Sequence, residues 1–279
     1  MLYLTVGVVA ANLATWALAW PVLGGHAGLL GMALVAYVYG LRHGVDADHV
    51  AAIDNVTRNL MQRGRPAAAA GLCFSLGHAG VVAGLSAAVA ATAGSLHGLA
   101  AMRGMGDGVG TAISAGFLLV IAISNLMLLA RPRRRRLFGL IAHSWQMLPL
   151  GMLFGLGFDT ASEVGLLGIS AIQGAHGLSP WGIMVFPLLF AAGMALVDTL
   201  DSALMLRAYG WAGGRRYARA LTLLSAGVAI AVACLEAGHL LGAGPILAAD
   251  PGVLGLAVIM LFTTIWAVSV ARQWLRPAA

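Results

Sequence analysis

Leu41-Arg42-His43-Gly44-Val45-Asp46-Ala47-Asp48-His49-Val50 packs five ionisable side chains into ten residues, with apolar sequence on both sides. Upstream, Ala27 to Gly40 holds no charged residue; downstream, Val50 to Ile53 is aliphatic. In a soluble protein this cluster would read as a solvated face. The rest of the chain argues otherwise. Hydrophobic residues make up 60% of it and charged residues 9%, against about a quarter charged in soluble domains. Mean hydropathy is +0.90. Long apolar runs in lipid must satisfy their backbone internally, so the composition predicts an all-α, polytopic membrane protein.

A hydrocarbon core about 30 Å thick takes about 20 apolar residues per helix. Cutting the chain at its polar and Pro/Gly clusters predicts eight transmembrane helices, 2–20, 28–53, 66–93, 109–130, 137–160, 181–206, 217–242 and 252–274, in a single domain over 1–279. No Arg or Lys precedes the first apolar run, so 2–20 reads as a span and not as a cleaved leader. The apolar stretch Leu137 to Ile172 would be roughly 54 Å long as one helix, too long for a straight span. Its glycine-rich middle predicts that the fifth helix is broken near Gly155 to Glu163.

All 16 cationic residues are arginines, and they alternate with the spans. One side collects Arg58, Arg63, Arg65, Arg131, Arg133 to Arg136, Arg207, Arg215, Arg216, Arg219, Arg272 and Arg276; the other holds Arg103 alone. The positive-inside rule then places both termini in the cytoplasm, in a cell membrane. Short arginine tracts between apolar stretches are topology signals, which excludes a nucleic-acid face. Cys73 and Cys234 form no CxxC pair and offer no thiolate site.

The carboxylates Asp46, Asp48, Asp159, Glu163, Asp198, Asp201 and Glu236 all fall in apolar segments, as do His43, His49, His78, His143 and His239. An ionisable group at a helix centre costs at least about 2.5 kcal/mol on insertion scales, so such groups pair with one another or serve transport. At about 100° per residue, His43, Asp46 and His49 share an arc of about 120°. Asp48 points away from them: either it faces another neighbour, or the helix unwinds at Gly44. Asp198 and Asp201 are an i, i+3 pair that repels unless a cation or proton lies between. Imidazole with carboxylate suits nickel, cobalt and zinc, and the lack of thiolates argues against copper(I).

Blander roles exist for each residue alone. His43 or His78 would serve as interhelical hydrogen-bond partners, Arg42 would neutralise Asp46 or Asp48, and Asp198 and Asp201 would pair with Arg207. Joint occurrence on four helices resists that account. An enzymatic alternative is a membrane acyltransferase, since His43 and Asp48 fit H-x-x-x-x-D with a His base. It leaves His78, Asp159 and Asp198 without work, so a non-enzymatic role leads.

Four motifs carry a resemblance to the nickel/cobalt transporter family of secondary metal permeases: R-H-G-V-D-A-D-H-V-A-A-I-D at Arg42 to Asp54, F-S-L-G-H-A-G-V-V at Phe74 to Val82, L-G-F-D-T-A-S-E-V at Leu156 to Val164, and G-M-A-L-V-D-T-L-D at Gly193 to Asp201. They occur in the family's order. The resemblance implies an eight-span permease for Ni²⁺ or Co²⁺, with no cofactor besides the transported ion and no ATPase subunit. The chain has no G-x-x-x-x-G-K-[ST] loop, in agreement. The expected ligand set is His43, Asp46, Asp48, His49, His78, Asp159, Asp198 and Asp201. Gly44, Ala79-Gly80 and Ser202 depart from the family pattern, and Val45 lies in the stretch that tunes nickel against cobalt. Efflux permeases are the alternative, but they carry a histidine-rich loop that is absent here, so uptake is expected.

Overall fold

The computed structural model describes residues 1–23, 25–91, 96–130, 141–157, 161–210, 214–242 and 250–274. Among them are ten α-helices and no strand: α1 (Leu2–Leu23), α2 (Ala27–His43), α3 (Ala47–Gln62), α4 (Ala70–Ala91), α5 (Leu96–Ala130), α6 (Met147–Phe154), α7 (Ala161–Ala175), α8 (Pro180–Gly210), α9 (Gly214–Leu240) and α10 (Pro251–Trp274). A 3-10 turn, Ser144–Gln146, leads into α6. Five helical stretches are long and apolar enough to cross a membrane: Leu2–Leu23, Ala70–Ala91, Gly110–Met127, Pro180–Tyr209 and Tyr217–Leu240. The chain is therefore an all-helical, multi-pass membrane protein.

The stretch 28–53, expected as one span, is two helices. After His43 the chain makes a tight turn, in which the Val45 N–H donates to the Arg42 carbonyl (3.1 Å) and the Asp46 N–H to the His43 carbonyl (3.0 Å). Asp46 is extended (φ −65°, ψ 145°) and starts α3. The first turn of α10 packs directly on this interruption: a Cβ added at Gly255 would overlap the Val45 carbonyl. His43, Asp46 and His49 therefore do not share the face of a continuous helix. They sit at the end of one helix, in the turn, and in the first turn of the next.

The expected loops also shift. Residues 55–62, read as the start of a loop, are helical, and Asp54 through Leu60 are buried. Several of these polar side chains bond to one another. Asn59 Nδ2 donates to Asn125 Oδ1 (2.9 Å), Asn125 Nδ2 to Asn55 Oδ1 (2.9 Å), and Arg58 Nη2 to Asn55 Oδ1 (2.5 Å). Arg58, grouped with the loop arginines above, is thus an interior residue. Likewise α5 begins at Leu96, well before the expected start at 109.

The break expected near Gly155 to Glu163 is present. Helix α6 stops at Phe154 and α7 starts at Ala161, with Glu163 in its first turn. The same packing recurs around both interruptions. On α2 and α8, a Cβ at Gly40 would overlap the Phe190 carbonyl, and one at Gly193 would approach the Tyr37 carbonyl at 2.6 Å. On α6 and α4, a Cβ at Gly151 would overlap the Phe74 carbonyl, and one at Gly77 the Leu148 carbonyl. The residue spacings within the two crossings are the same. Four residues beyond Gly40 and Gly151 come the helix-ending glycines, Gly44 against Val197 and Gly155 against Val81, again at equal spacing. Helices α4 and α8 run antiparallel, since the Gly71 N–H donates to Ser202 Oγ (2.9 Å) and Ser75 Oγ to Asp198 Oδ2 (2.6 Å). The units α2–α3–α4 and α6–α7–α8 are therefore inverted copies of one packing arrangement, each with a broken first helix.

One buried cluster gathers residues of α3, α4, α5, α6 and α9; another gathers α1, α2, α4, α7 and α8. The first interruption abuts α8 at Gly44 and Val197, and the second abuts α4 at Gly155 and Val81. Beside the first, Arg42 Nη2 donates to Asp250 Oδ2 (2.7 Å), and Asp250 accepts the N–H groups of Gly252 and Val253 at the start of α10. These bonds, that from Arg42 foremost, hold the Asp250 carboxyl below its usual range. A depressed acid stabilises the fold above the ordinary carboxylate pKa and loses that contribution as pH falls through its lowered value. Both side chains are well exposed, so the pair is worth under about 1 kcal/mol. Asp250→Asn is expected to lower the melting temperature slightly at neutral pH, and the difference from the parent is expected to shrink as pH falls below about 4 and to vanish below the lowered value of Asp250.

Candidate metal site

Three histidines converge where α2 ends, α3 begins and α4 passes between them. His43 is 1% exposed, His49 0% and His78 2%. Their ring centroids form a triangle with sides of 4.5, 4.7 and 4.9 Å. One nitrogen from each lies within 4.8 Å of the other two. Phe74 stands edge-on to His49 at 4.8 Å, and Phe190 lies 5.5 Å from His43, so aromatic rings form part of the wall.

Carboxylates surround the triangle. His43 Nδ1 donates to Asp46 Oδ2 (3.0 Å). That bond fixes the tautomer and turns the Nε2 lone pair inward, the usual second-layer support of a metal-binding imidazole. His43 Nε2 and His78 Nε2 face each other at 2.9 Å, and Glu163 Oε1 lies 2.9 Å from His78 Nε2 and 3.8 Å from His43 Nε2. Adjacent ligands around an ion at about 2.1 Å stand about 3 Å apart, so these atoms have the spacing of neighbours in one coordination sphere. His49 is the most telling member. It is fully buried, and neither ring nitrogen has a hydrogen-bond partner; Asp198 Oδ2 lies 3.6 Å from its Nδ1. Asp198 is itself held by Ser75, which sits one turn before His78 on α4.

Of the residues expected as ligands, His43, His49 and His78 are together, with Asp46 and Asp198 in contact with them. Asp48 lies half-buried in the first turn of α3, one residue before His49. Asp201, three residues beyond Asp198, is buried and is an electrostatic neighbour of both Asp54 and Asp198. Asp159 lies outside the described residues. Glu163, an acid in an apolar segment that the expected ligand set does not include, stands against two of the histidines. The pairing of Asp198 or Asp201 with Arg207 does not occur among the described contacts.

The chain can now be compared with known proteins. The family model described as high-affinity nickel-transport protein, NicO, matches residues 29–137 and 131–272. The chain belongs to this family. It is 43% identical to a high-affinity nickel transport protein of Cupriavidus necator, over 96% of this chain and 90% of that one. It is 36% identical to the nickel transporter NicT of Mycobacterium tuberculosis, over 88% and 79%. It is 40% identical to the cobalt transport protein NhlF of Rhodococcus rhodochrous, over 66% and 62%. No solved structure matches. As a NicO protein the chain is a transporter and not an enzyme, which disposes of the acyltransferase reading of His43 and Asp48.

Proposed function

We propose that this NicO protein imports Ni²⁺ or Co²⁺ across the cytoplasmic membrane by a secondary, ATP-independent mechanism. His43, His49 and His78 hold the ion, Glu163 supplies a carboxylate oxygen, and Asp46 and Asp198 orient and charge-balance the imidazoles. The observation that carries this reading is the buried histidine triangle, with both nitrogens of His49 lacking partners. Such a group is costly unless something binds it. The relatives named for nickel and for cobalt support these two ions.

Eight membrane crossings with both termini cytoplasmic fit the inverted packing. A first broken helix entering from outside is matched by a second entering from inside, as in other secondary carriers built from inverted repeats. Alternating access then follows from exchanging the tilts of the two glycine-crossed pairs, α2–α8 and α6–α4, around a site at their seam. A potential of about 100 mV, inside negative, contributes about 4.6 kcal/mol to a divalent cation, a concentration ratio of about 2000, so inward transport needs no ATP.

In proteoliposomes carrying an internal metal-sensitive dye, an inside-negative potassium diffusion potential is expected to drive Ni²⁺ or Co²⁺ accumulation without nucleotide. Collapsing the potential is expected to reduce accumulation to equilibration. Accumulation that requires ATP, or none at all by folded protein, would overturn the reading.

A further inference from the structure

One turn beyond Asp198 on α8, a second set of buried ionisable groups lies between α3, α8 and α9. Asp201 is 4% exposed, and neither of its carboxylate oxygens has a hydrogen-bond partner. Asp54, on α3, is 1% exposed and close enough for the two carboxylates to repel each other. Asp54 Oδ1 accepts from the Tyr209 hydroxyl (2.6 Å), whose oxygen also lies 2.6 Å from Ser225 Oγ. Arg58 is the nearby cation. It lies over the Tyr209 ring at 5.8 Å and donates to Asn55, while its Nε and Nη1 are unpartnered. Among the described contacts it forms no ion pair with either carboxylate.

This arrangement is one positive charge short. Two buried carboxylates face a single guanidinium that grips neither of them. A purely structural Asp201 would have a donor, as Asp198 has Ser75; instead both of its oxygens lack one. Buried acids in this state repel one another unless a proton or a cation sits between them.

We infer that Asp54 and Asp201 form a second, all-oxygen station for the divalent cation, which takes the ion from the three histidines and passes it toward the C-terminal ends of α3 and α8. The inference rests on the histidine cluster being the first station. The order follows from ligand chemistry. Imidazole binds nickel and cobalt more tightly than carboxylate and hydroxyl oxygens do, so the ion moves from a selective site to a weaker one. Asp198 bridges the two levels: it lies 3.6 Å from His49 and is an electrostatic neighbour of Asp201. Arg58, behind Asp54, opposes a resident cation and keeps the second station from trapping it.

The test is Co²⁺ binding to the full chain in nanodiscs, read by equilibrium titration and by the visible spectrum, which separates imidazole from all-oxygen coordination. The double variant His49→Ala/His78→Ala is expected to lose the imidazole spectrum and to keep a weaker, all-oxygen site. Adding Asp201→Asn is expected to weaken that residual site by about tenfold or more, a loss typical of altering a metal site's surroundings. Asp201→Glu is expected to retain it, and Asp54→Asn is a second route should Asp201→Asn not fold. If the folded double variant binds no Co²⁺, or binds it equally well without Asp201 and Asp54, the second station is overturned, while potential-driven uptake and its dependence on the histidines still stand. If the parent protein neither binds nor transports metal, it is the first reading that fails.

Discussion

His49→Ala is expected to abolish Ni²⁺ accumulation, by about a hundredfold or more, in a protein that still folds. The size follows from position. Outer-layer partners of a metal site already cost about 10- to 100-fold when removed, and His49 is proposed as an inner ligand, with neither ring nitrogen hydrogen-bonded. The folding half of the expectation follows from the same fact. A fully buried imidazole without hydrogen bonds is a burden on the apo protein, so its deletion relieves a desolvation cost while leaving a cavity. His49→Phe sharpens the contrast, because it keeps the volume against Phe74 and removes only the nitrogens. Both variants are expected to elute as monodisperse protein and to show no saturable uptake in proteoliposomes. Uptake at the parental rate by either would sink the three-histidine site. Asp46→Asn, which removes the acceptor that orients His43, is expected to fall between the two limits.

Gly77→Leu is expected to prevent folding although it replaces none of the proposed ligands. A Cβ at Gly77 would overlap the Leu148 carbonyl, and one at Gly151 the Phe74 carbonyl, so α4 and α6 cross with their backbones in contact. Ordinary overpacking costs about 1 to 3 kcal/mol because side chains give way. Here the obstacle is main chain on both sides, and the helices must separate, which also carries His78 away from His43. Close backbone approach through small residues is a main source of attraction between helices in lipid, where apolar burial drives nothing. The expected result is aggregated or degraded protein, seen as loss of the monodisperse peak in detergent. Gly84→Leu is the control on the same helix: nothing lies within 4 Å of its Cβ, and it is expected to behave as the parent. Equal behaviour of the two variants would show that the crossing is not a packing constraint.

Much of this was readable from residues alone. Apolar length and acids placed in apolar segments pointed to a helical membrane protein, and excess length flagged the break after α6. The break after α2 was left open, because a single glycine before two acids fits both a continuous helix and an unwound one; α10 settles it by packing on the Val45 carbonyl, and that contact is remote in sequence. Asp198 and Asp201 looked like one site because they share a face. A rise of about 4.5 Å between them is enough to give them different neighbours. The helix α3 was mistaken in part for a loop because its polar residues were assumed to be wet. Asn55, Arg58 and Asn59 are dry, and their partners lie on α5 and within α3 itself. Sequence periodicity reports which way a residue faces, not which helix it meets.

The interruption at Gly44 to Asp46 has an electrostatic consequence. Aligned peptide dipoles place about half a positive charge at a helix's N-terminus and about half a negative charge at its C-terminus. Cutting one span in two brings the negative end of α2 and the positive end of α3 to the same depth. His43, the last residue of α2, places its imidazole at the negative end, while Asp46 and Asp48 sit at the positive end. Asp46 makes no side-chain cap, so the first amide N–H groups of α3 act on its carboxylate through their field alone. The fold thus supplies a charge-separated socket before any ion arrives, one that a continuous helix carrying the same side chains would lack.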